Sequence, residues 1–106
     1  MKSKRRSSLA DEAGAVFVSP VDLKRLAAAK SLLSLHRVHT RDIVNGKDFL
    51  FSGPSEELHV ALKHLLVAEH QIKRFLQFDF VQIDQYFLLR ITGSKEYQEA
   101  IASYFD

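Results

Sequence analysis

The chain has 106 residues, 46% of them hydrophobic and 26% charged, a composition that suits one globular domain with a single core. It contains no cysteine, which excludes a disulfide framework, a thiolate zinc site and a cysteine nucleophile and is compatible with a cytoplasmic location. No apolar run approaches the roughly 20 residues that span a bilayer, and no apolar stretch follows the basic N-terminus, so we expect neither a membrane span nor a secretory signal.

The positive charge is concentrated at the N-terminus. The net charge is +2, and four of the fifteen Lys and Arg residues lie within residues 1–8, which contain no acid. Residues 9–106 carry eleven Lys and Arg against thirteen Asp and Glu, so the chain beyond these eight residues is slightly acidic. We therefore expect residues 1–13 to be a disordered basic arm and residues 14–106 to be a single domain. One alternative is a nucleic-acid-associated protein that binds through the arm, by Lys2, Lys4, Arg5 and Arg6. A mitochondrial presequence is another interpretation of the arm.

The first half of the domain contains clear local signals. Residues 15–18 form a short strand candidate, and Ser19 followed by Pro20 is typical of a helix start. Asp22 completes a capping box, and the predicted helix runs to about Leu35. Its predicted buried face consists of Leu23, Leu26, Ala27 and Leu33.

Two predicted hairpins flank a long helix. Asn45-Gly46 between two strand-like runs indicates a hairpin over residues 36–51. A long helix follows over about 55–76, then a second hairpin around Asp84-Gln85 and a last helix that ends near residue 105. The sequence thus predicts the α+β class, in the order β-α-β-β-α-β-β-α. A helix followed by a hairpin occurs twice. We interpret the similar residues as a sequence pattern that is common where a strand leads into a helix, with duplication as the alternative.

The long helix has apolar residues on two sides. One face carries Leu58, Leu62, Leu65, Ile72 and Leu76, and Glu69 falls within it, where a carboxylate has to reach water or find a partner. The opposite strip consists of Val60, His64, Val67 and Gln71. This strip contacts a partner chain, is buried inside the domain, or consists of scattered surface residues. We take the partner interface as the main hypothesis.

No catalytic, metal or cofactor site is predicted. The five histidines are not spaced as metal ligands, and the nucleotide-binding and nucleophile motifs are absent. Helix openings follow Gly53 and Gly93, where main-chain amides could hold an anion or serve a small enzyme, although simple helix capping explains them better. The aromatic residues of the second hairpin are predicted to pack in the core rather than to stack on bases, because their neighbours are acids and glutamines.

Two stretches resemble a known family. Ser19-Pro-Val-Asp-Leu23 with its following helix and hairpin, and Leu65-Leu-Val-Ala-Glu69, are similar to the winged-helix modules of the ESCRT-II vacuolar-protein-sorting subunits. The resemblance implies a non-enzymatic protein–protein module of an endosomal sorting assembly. It covers about half of the chain, and the helices that precede each recognition helix in that family are absent or compressed here.

The sequence therefore predicts a non-enzymatic interaction or scaffolding domain that acts through self-association or a protein partner. The alternatives are the nucleic-acid-associated protein with its basic arm and the ligand-binding domain or enzyme with its helix openings.

Overall fold

A computed structural model describes residues 19–106, so the predicted arm and the strand candidate at 15–18 lie outside the described part. Within it the fold is α+β, as predicted, with three helices and a four-stranded antiparallel sheet. The elements are α1 (Pro20–Leu35), β1 (Arg37–Ile43), β2 (Gly46–Ser52), α2 (Ser55–Ile72), β3 (Leu76–Ile83), β4 (Tyr86–Gly93) and α3 (Gln98–Ala102), with a 3₁₀ turn at Lys95–Tyr97.

The first helix begins where its capping signal indicates. The Ser19 side chain accepts a hydrogen bond from the Asp22 main-chain N–H at 3.1 Å, and Pro20 is the first helical residue. The predicted buried face is wrong in part: Leu23 and Ala27 are exposed. The helix packs chiefly against α2 and therefore buries a narrow strip, which consists of Ala29 and Leu33 with the partly buried Leu26 and Leu32.

The sheet joins two halves with the same order of elements. Its strand order is β1-β2-β4-β3, and every neighbouring pair is antiparallel. β2 and β3 are thus parallel with β4 between them, and α2 connects them as a split β-α-β unit. The predicted order of a helix followed by a hairpin thus occurs twice in the structure, and α1-β1-β2 and α2-β3-β4 meet along β2 and β4.

Both predicted hairpins are present and have two-residue turns; the second turn lies where it was predicted, and the first lies one residue before the predicted Asn45-Gly46. Val44 and Asn45 connect β1 to β2, and Asp84 and Gln85 connect β3 to β4. Asn45 has a φ of 66° and Asp84 a φ of 54°, a conformation that Asn and Asp tolerate better than most residues. Gly46 is the first residue of β2, after the turn itself.

The core lies on one face of the sheet. The strands contribute inward side chains from alternate positions, and α2 and α3 cover them. The fully buried members include Phe49, Phe51, Phe87, Leu89 and Ile91 from the strands and Leu58, Leu62, Leu65 and Ile101 from the helices. Of the aromatic residues at the second hairpin, Phe78 and Phe87 are buried here, as predicted, and Phe80 is partly buried. The prediction is wrong for Phe75 and Tyr86, which are exposed.

The long helix is shorter than predicted. It ends at Ile72, and Leu76, which was placed on its buried face, is the first residue of β3. The chain turns through Lys73, whose main-chain oxygen accepts a hydrogen bond from the Leu76 N–H at 3.0 Å. Leu76 is therefore buried as a residue of the sheet, whereas Ile72 at the end of α2 is exposed. The last helix is also shorter, since α3 has five residues after the 3₁₀ turn.

Candidate interaction surfaces

The face of the sheet opposite the core is covered by none of the helices α1–α3. Strand alternation places on this open face every side chain that points away from the buried Phe49, Leu89 and Phe78. Four of these residues form one row across the four strands, because the register aligns each with the next. We call this row the charge ladder; it consists of Arg41, Asp48, Arg90 and Asp79, in the order of the strands.

Asp48 accepts hydrogen bonds from both arginines of the charge ladder. It is only 2% exposed, and Arg90 binds it with two hydrogen bonds, Nε to Oδ1 at 2.8 Å and Nη2 to Oδ2 at 2.9 Å. Arg41 adds a third, from Nη2 to Oδ2 at 2.7 Å. The hydrogen bond from Arg90 is the main reason that the pKa of the Asp48 carboxyl is lowered; Arg41 acts in the same direction and burial opposes both. The same pair raises the pKa of the Arg90 guanidinium.

Acid is expected to remove the stability that Asp48 contributes. Its folded-state pKa lies below the ordinary value of 3.8, so the contribution is fully present above that pH and is lost as the pH falls through the folded-state pKa. Asp48→Asn should lower the free energy of unfolding at neutral pH by about 2 kcal/mol, since it weakens charged hydrogen bonds at a buried site. Urea unfolding of both proteins from neutral pH into acid should show this difference shrinking below about pH 4. A difference that stays constant or grows in acid would contradict the assignment.

Beside the ladder, the open face carries apolar side chains. We call them the open-face patch; its members are Leu50, Val81, Ile83, Tyr86 and Leu88, on β2, β3 and β4. Val81 is 50% exposed and Ile83 48%, whereas the solvent-facing side of an antiparallel sheet is ordinarily polar. A shallow depression of about 160 Å³ lies where the patch meets the ladder, at Val81, Leu88 and Arg90. Apolar surface of this kind is typical of an interface.

A second apolar surface lies between the two long helices. We call it the α1–α2 groove, an open depression of about 600 Å³. The buried Ala29 and Ala61 and the partly buried Leu32 form its floor. Its other lining residues are Arg25, Ala28, Glu56, Glu57, Val60 and His64.

The predicted interface residues divide between the groove and the helix beyond it. Val60 is 46% exposed and Val67 55%, so these two valines do not belong to the core of the described domain. Val60 and His64 line the groove, whereas Val67 and Gln71 lie one to two turns further along α2. The Gln71 side-chain amide donates to the Val67 main-chain oxygen at 3.2 Å. The structure thus places only the first two at a concave surface.

Glu69 lies in the buried stripe of α2 and finds partners there. It is fully buried, the Tyr104 hydroxyl donates to its Oε2, and the Lys73 ammonium lies 3.2 Å from the same atom. Its Oε1 has no hydrogen-bond partner among residues 19–106. The ammonium groups of Lys30 and Lys73 lie 4.1 and 4.9 Å from the centre of the Tyr104 ring.

The pKa values of two side chains beside Glu69, those of Tyr104 and Lys30, are shifted. Burial, reinforced by the Glu69 carboxylate, raises the pKa of the Tyr104 hydroxyl. Burial and then the neighbouring Lys73 lower the pKa of Lys30, while Glu69 acts in the opposite direction. The Tyr104 partner was missed by sequence reasoning, because 35 residues separate it from Glu69.

The helix openings are occupied by acids. α2 has Glu56 and Glu57 in its first turn, and the hydroxyl of Ser94 after Gly93 donates to Glu96 at 3.1 Å. Gly53 and Gly93 therefore precede negatively charged turns, which compete with an anion for the amides.

Two of the histidines, His59 and His70, lie next to aromatic rings. The His59 ring lies 5.9 Å from Phe80 and the His70 ring 6.3 Å from Phe78, measured between ring centroids. Across residues 19–106, no three His, Asp or Glu side chains are grouped so that they could hold a metal ion. Lys2, Lys4, Arg5 and Arg6 lie outside the described residues.

Comparison of the chain with protein-family models, with curated proteins and with solved structures found no match. The similarity to the ESCRT-II subunits accordingly stays a prediction. None of the helices within residues 19–106 has the length and apolar character needed to cross a bilayer.

Proposed function

We propose that this protein is a non-enzymatic interaction domain that binds a segment of a protein partner in the α1–α2 groove. The observation that carries the proposal is the exposed Val60 beside a floor of alanine and leucine side chains. A depression of about 600 Å³ has room for several side chains of a partner.

The groove suits an amphipathic helix. Small residues on the floor, Ala29 and Ala61, allow a partner backbone to approach closely, and the apolar anchors of a helix at positions i, i+3 and i+4 would contact Leu32 and Val60. Glu56 and Glu57 lie at the amino-terminal end of α2 and favour a basic residue at one end of the partner segment.

The composition of α2 supports a covered outer face. Val60 and Val67 are β-branched, and such residues lose side-chain entropy in a helix. Leu or a charged residue would stabilise an exposed helical position better. Contact with a partner in the groove accounts for valine at position 60, since association would bury that side chain.

Selection of binding peptides tests the proposal directly. A phage-displayed peptide library panned against the full chain is expected to yield amphipathic sequences with a basic end. Val60→Lys should weaken the selected peptides about tenfold or more, because a charge would enter a desolvated contact. The matched control is Val38→Lys, which changes an exposed valine of β1 in the same way and should leave the affinity unchanged.

Mapping of the binding site by NMR distinguishes binding in the α1–α2 groove from binding elsewhere on the domain. Amide chemical shifts should move along α1 and the first half of α2 when a selected peptide is added. Circular dichroism should show both variants folded, because both valines are exposed in the free domain. Equal loss of binding in the two variants, or shifts confined to the sheet, would reject the groove as the binding site.

A further inference from the structure

We propose that the open face of the sheet binds the same face of a second copy of this chain. The two sheets stack face to face, and the two-fold axis runs parallel to the strands between β2 and β4. This surface is separate from the α1–α2 groove, so it does not depend on the function proposed above.

The apolar content of the open face is the first reason. Leu50 and Leu88 are directly opposite each other on the two central strands, and Val81 is next to Leu88 on β3. Tyr86 and Ile83 are paired in the following row. A sheet face that the described helices leave open, with apolar side chains in two successive rows, is the kind of surface that a second sheet covers in a β-sandwich.

The charge ladder supplies the argument for a second copy rather than another partner. Its charges alternate across the sheet as positive, negative, positive and negative. A two-fold axis between β2 and β4 reverses this order in the second copy. Each arginine then faces an aspartate: Arg41 faces Asp79 of the second copy, and Arg90 faces Asp48 of the second copy. The ladder is self-complementary, as an isologous interface requires.

The neighbouring rows also match under this operation. Leu50 faces Leu88 of the second copy, so the apolar centre of the patch is paired with itself. His39 is opposite Leu50 on β1 and faces Val81 of the second copy. The small Ser52 lies opposite Tyr86 within the sheet and also faces the larger Tyr86 of the second copy.

The same ladder excludes the other simple arrangement. A two-fold axis perpendicular to the strands, but still in the plane of the interface, would place Arg41 over Arg41 and Asp79 over Asp79. Like charges in contact cost several kcal/mol. The alternation therefore selects one of the two ways in which the sheets could stack.

Desolvation of three of the four ladder residues is limited because Arg41 and Arg90 are already paired with Asp48. Asp48 is 2% exposed in the free chain, so association removes almost no further water from it. Arg41, with a side chain 61% exposed, exchanges water for a second carboxylate, that of Asp79 in the second copy.

The size of the face sets the strength of the contact. Four strands about 4.8 Å apart and seven residues long at about 3.3 Å per residue give a footprint of roughly 450 Å². This footprint is below the roughly 800 Å² of accessible surface that each partner buries in a standard interface. We therefore expect a concentration-dependent equilibrium between monomer and dimer.

A charge-swap experiment tests the geometry. The full chain should sediment as a dimer at high concentration and dissociate on dilution. R41E and D79R should each weaken the dimer about tenfold or more, since each places two like-charge contacts in a homodimer. Mixing the two variants should restore dimerisation, because the introduced carboxylate of one then faces the introduced guanidinium of the other, and the unchanged Asp79 of the first faces Arg41 of the second.

Two further variants keep the test decisive if a ladder substitution reduces folding. Ile83→Lys charges an exposed patch position and should give a folded monomer by circular dichroism and sedimentation. Val60→Lys combined with Val67→Glu changes only α2 and should leave the dimer intact. A parent chain that stays monomeric at a protein concentration of about 0.5 mM overturns the proposal. So does a mixture of R41E and D79R that forms no dimer, or a dimer dissociated by the α2 variant.

Discussion

Gly46→Ala is expected to lower the free energy of unfolding by about 3 kcal/mol or more. A methyl group at this position would lie 2.0 Å from the Ile91 carbonyl oxygen and 2.9 Å from the Thr92 Cα. Both atoms belong to the main chain of β4, the strand with which β2 pairs at the centre of the sheet. Relief of the clash would have to separate the two strands, and their hydrogen bonds would be lost with it.

Gly53→Ala is the matched control. There the added methyl group would meet the His36 imidazole at 2.6 Å, and a partly exposed side chain can move away. We expect this loss to be about 1 kcal/mol or less. Urea unfolding followed by circular dichroism measures both variants. Equal losses would contradict the close approach of β2 and β4 at Gly46.

Removal of the Glu69 side chain is expected to have an effect of similar size. Glu69→Ala leaves the Tyr104 hydroxyl without its buried acceptor and leaves Lys73 and Lys30 without the carboxylate that balances them. Breaking a buried charged contact from one side costs about 3–5 kcal/mol. Thermal unfolding should therefore show a large fall in the melting temperature.

Replacing both Glu69 and Tyr104 with apolar residues distinguishes the contribution of their hydrogen bond to stability from the contribution of side-chain packing. Glu69→Leu alone should still be destabilising, because the Tyr104 hydroxyl stays buried and unpaired. Glu69→Leu combined with Tyr104→Phe removes both polar groups and should recover most of the loss, since apolar isosteres often replace buried pairs at little cost. A loss below about 1 kcal/mol for Glu69→Ala, or no recovery in the double variant, would show that the contact contributes little.

Local signals made most of the elements predictable. The Ser19 cap fixed the start of α1, and Asn45 and Asp84 adopt the positive φ that their hairpin turns require. The end of α2 was wrong because Leu76 continues the apolar period of the helix, and the period of side chains alone does not reveal a turn at Lys73.

The surfaces were less predictable, for a physical reason. Exposure of Val60 follows from helical periodicity, and so does the burial of Glu69. The charge ladder depends instead on the register between two hairpins, which brings Asp48 and Arg90 together across 42 residues. No local pattern specifies that register, which also places Asp79 beside Arg90.

The junction of β2 with β4 also affects how the chain folds. Each hairpin closes through a two-residue loop, whereas Ser52 of β2 pairs with Tyr86 of β4, 34 positions away, and Gly46 pairs with Thr92, 46 positions away. Closing these longer loops costs more entropy, so the junction is the costlier step. We therefore expect the two helix–hairpin halves to gain structure before they join. Until they do, β2 and β4 are free edges of matching register, and at high concentration the β2 edge of one chain can pair with the β4 edge of another. Refolding from concentrated solution would then yield exchanged, interlinked chains in place of monomers.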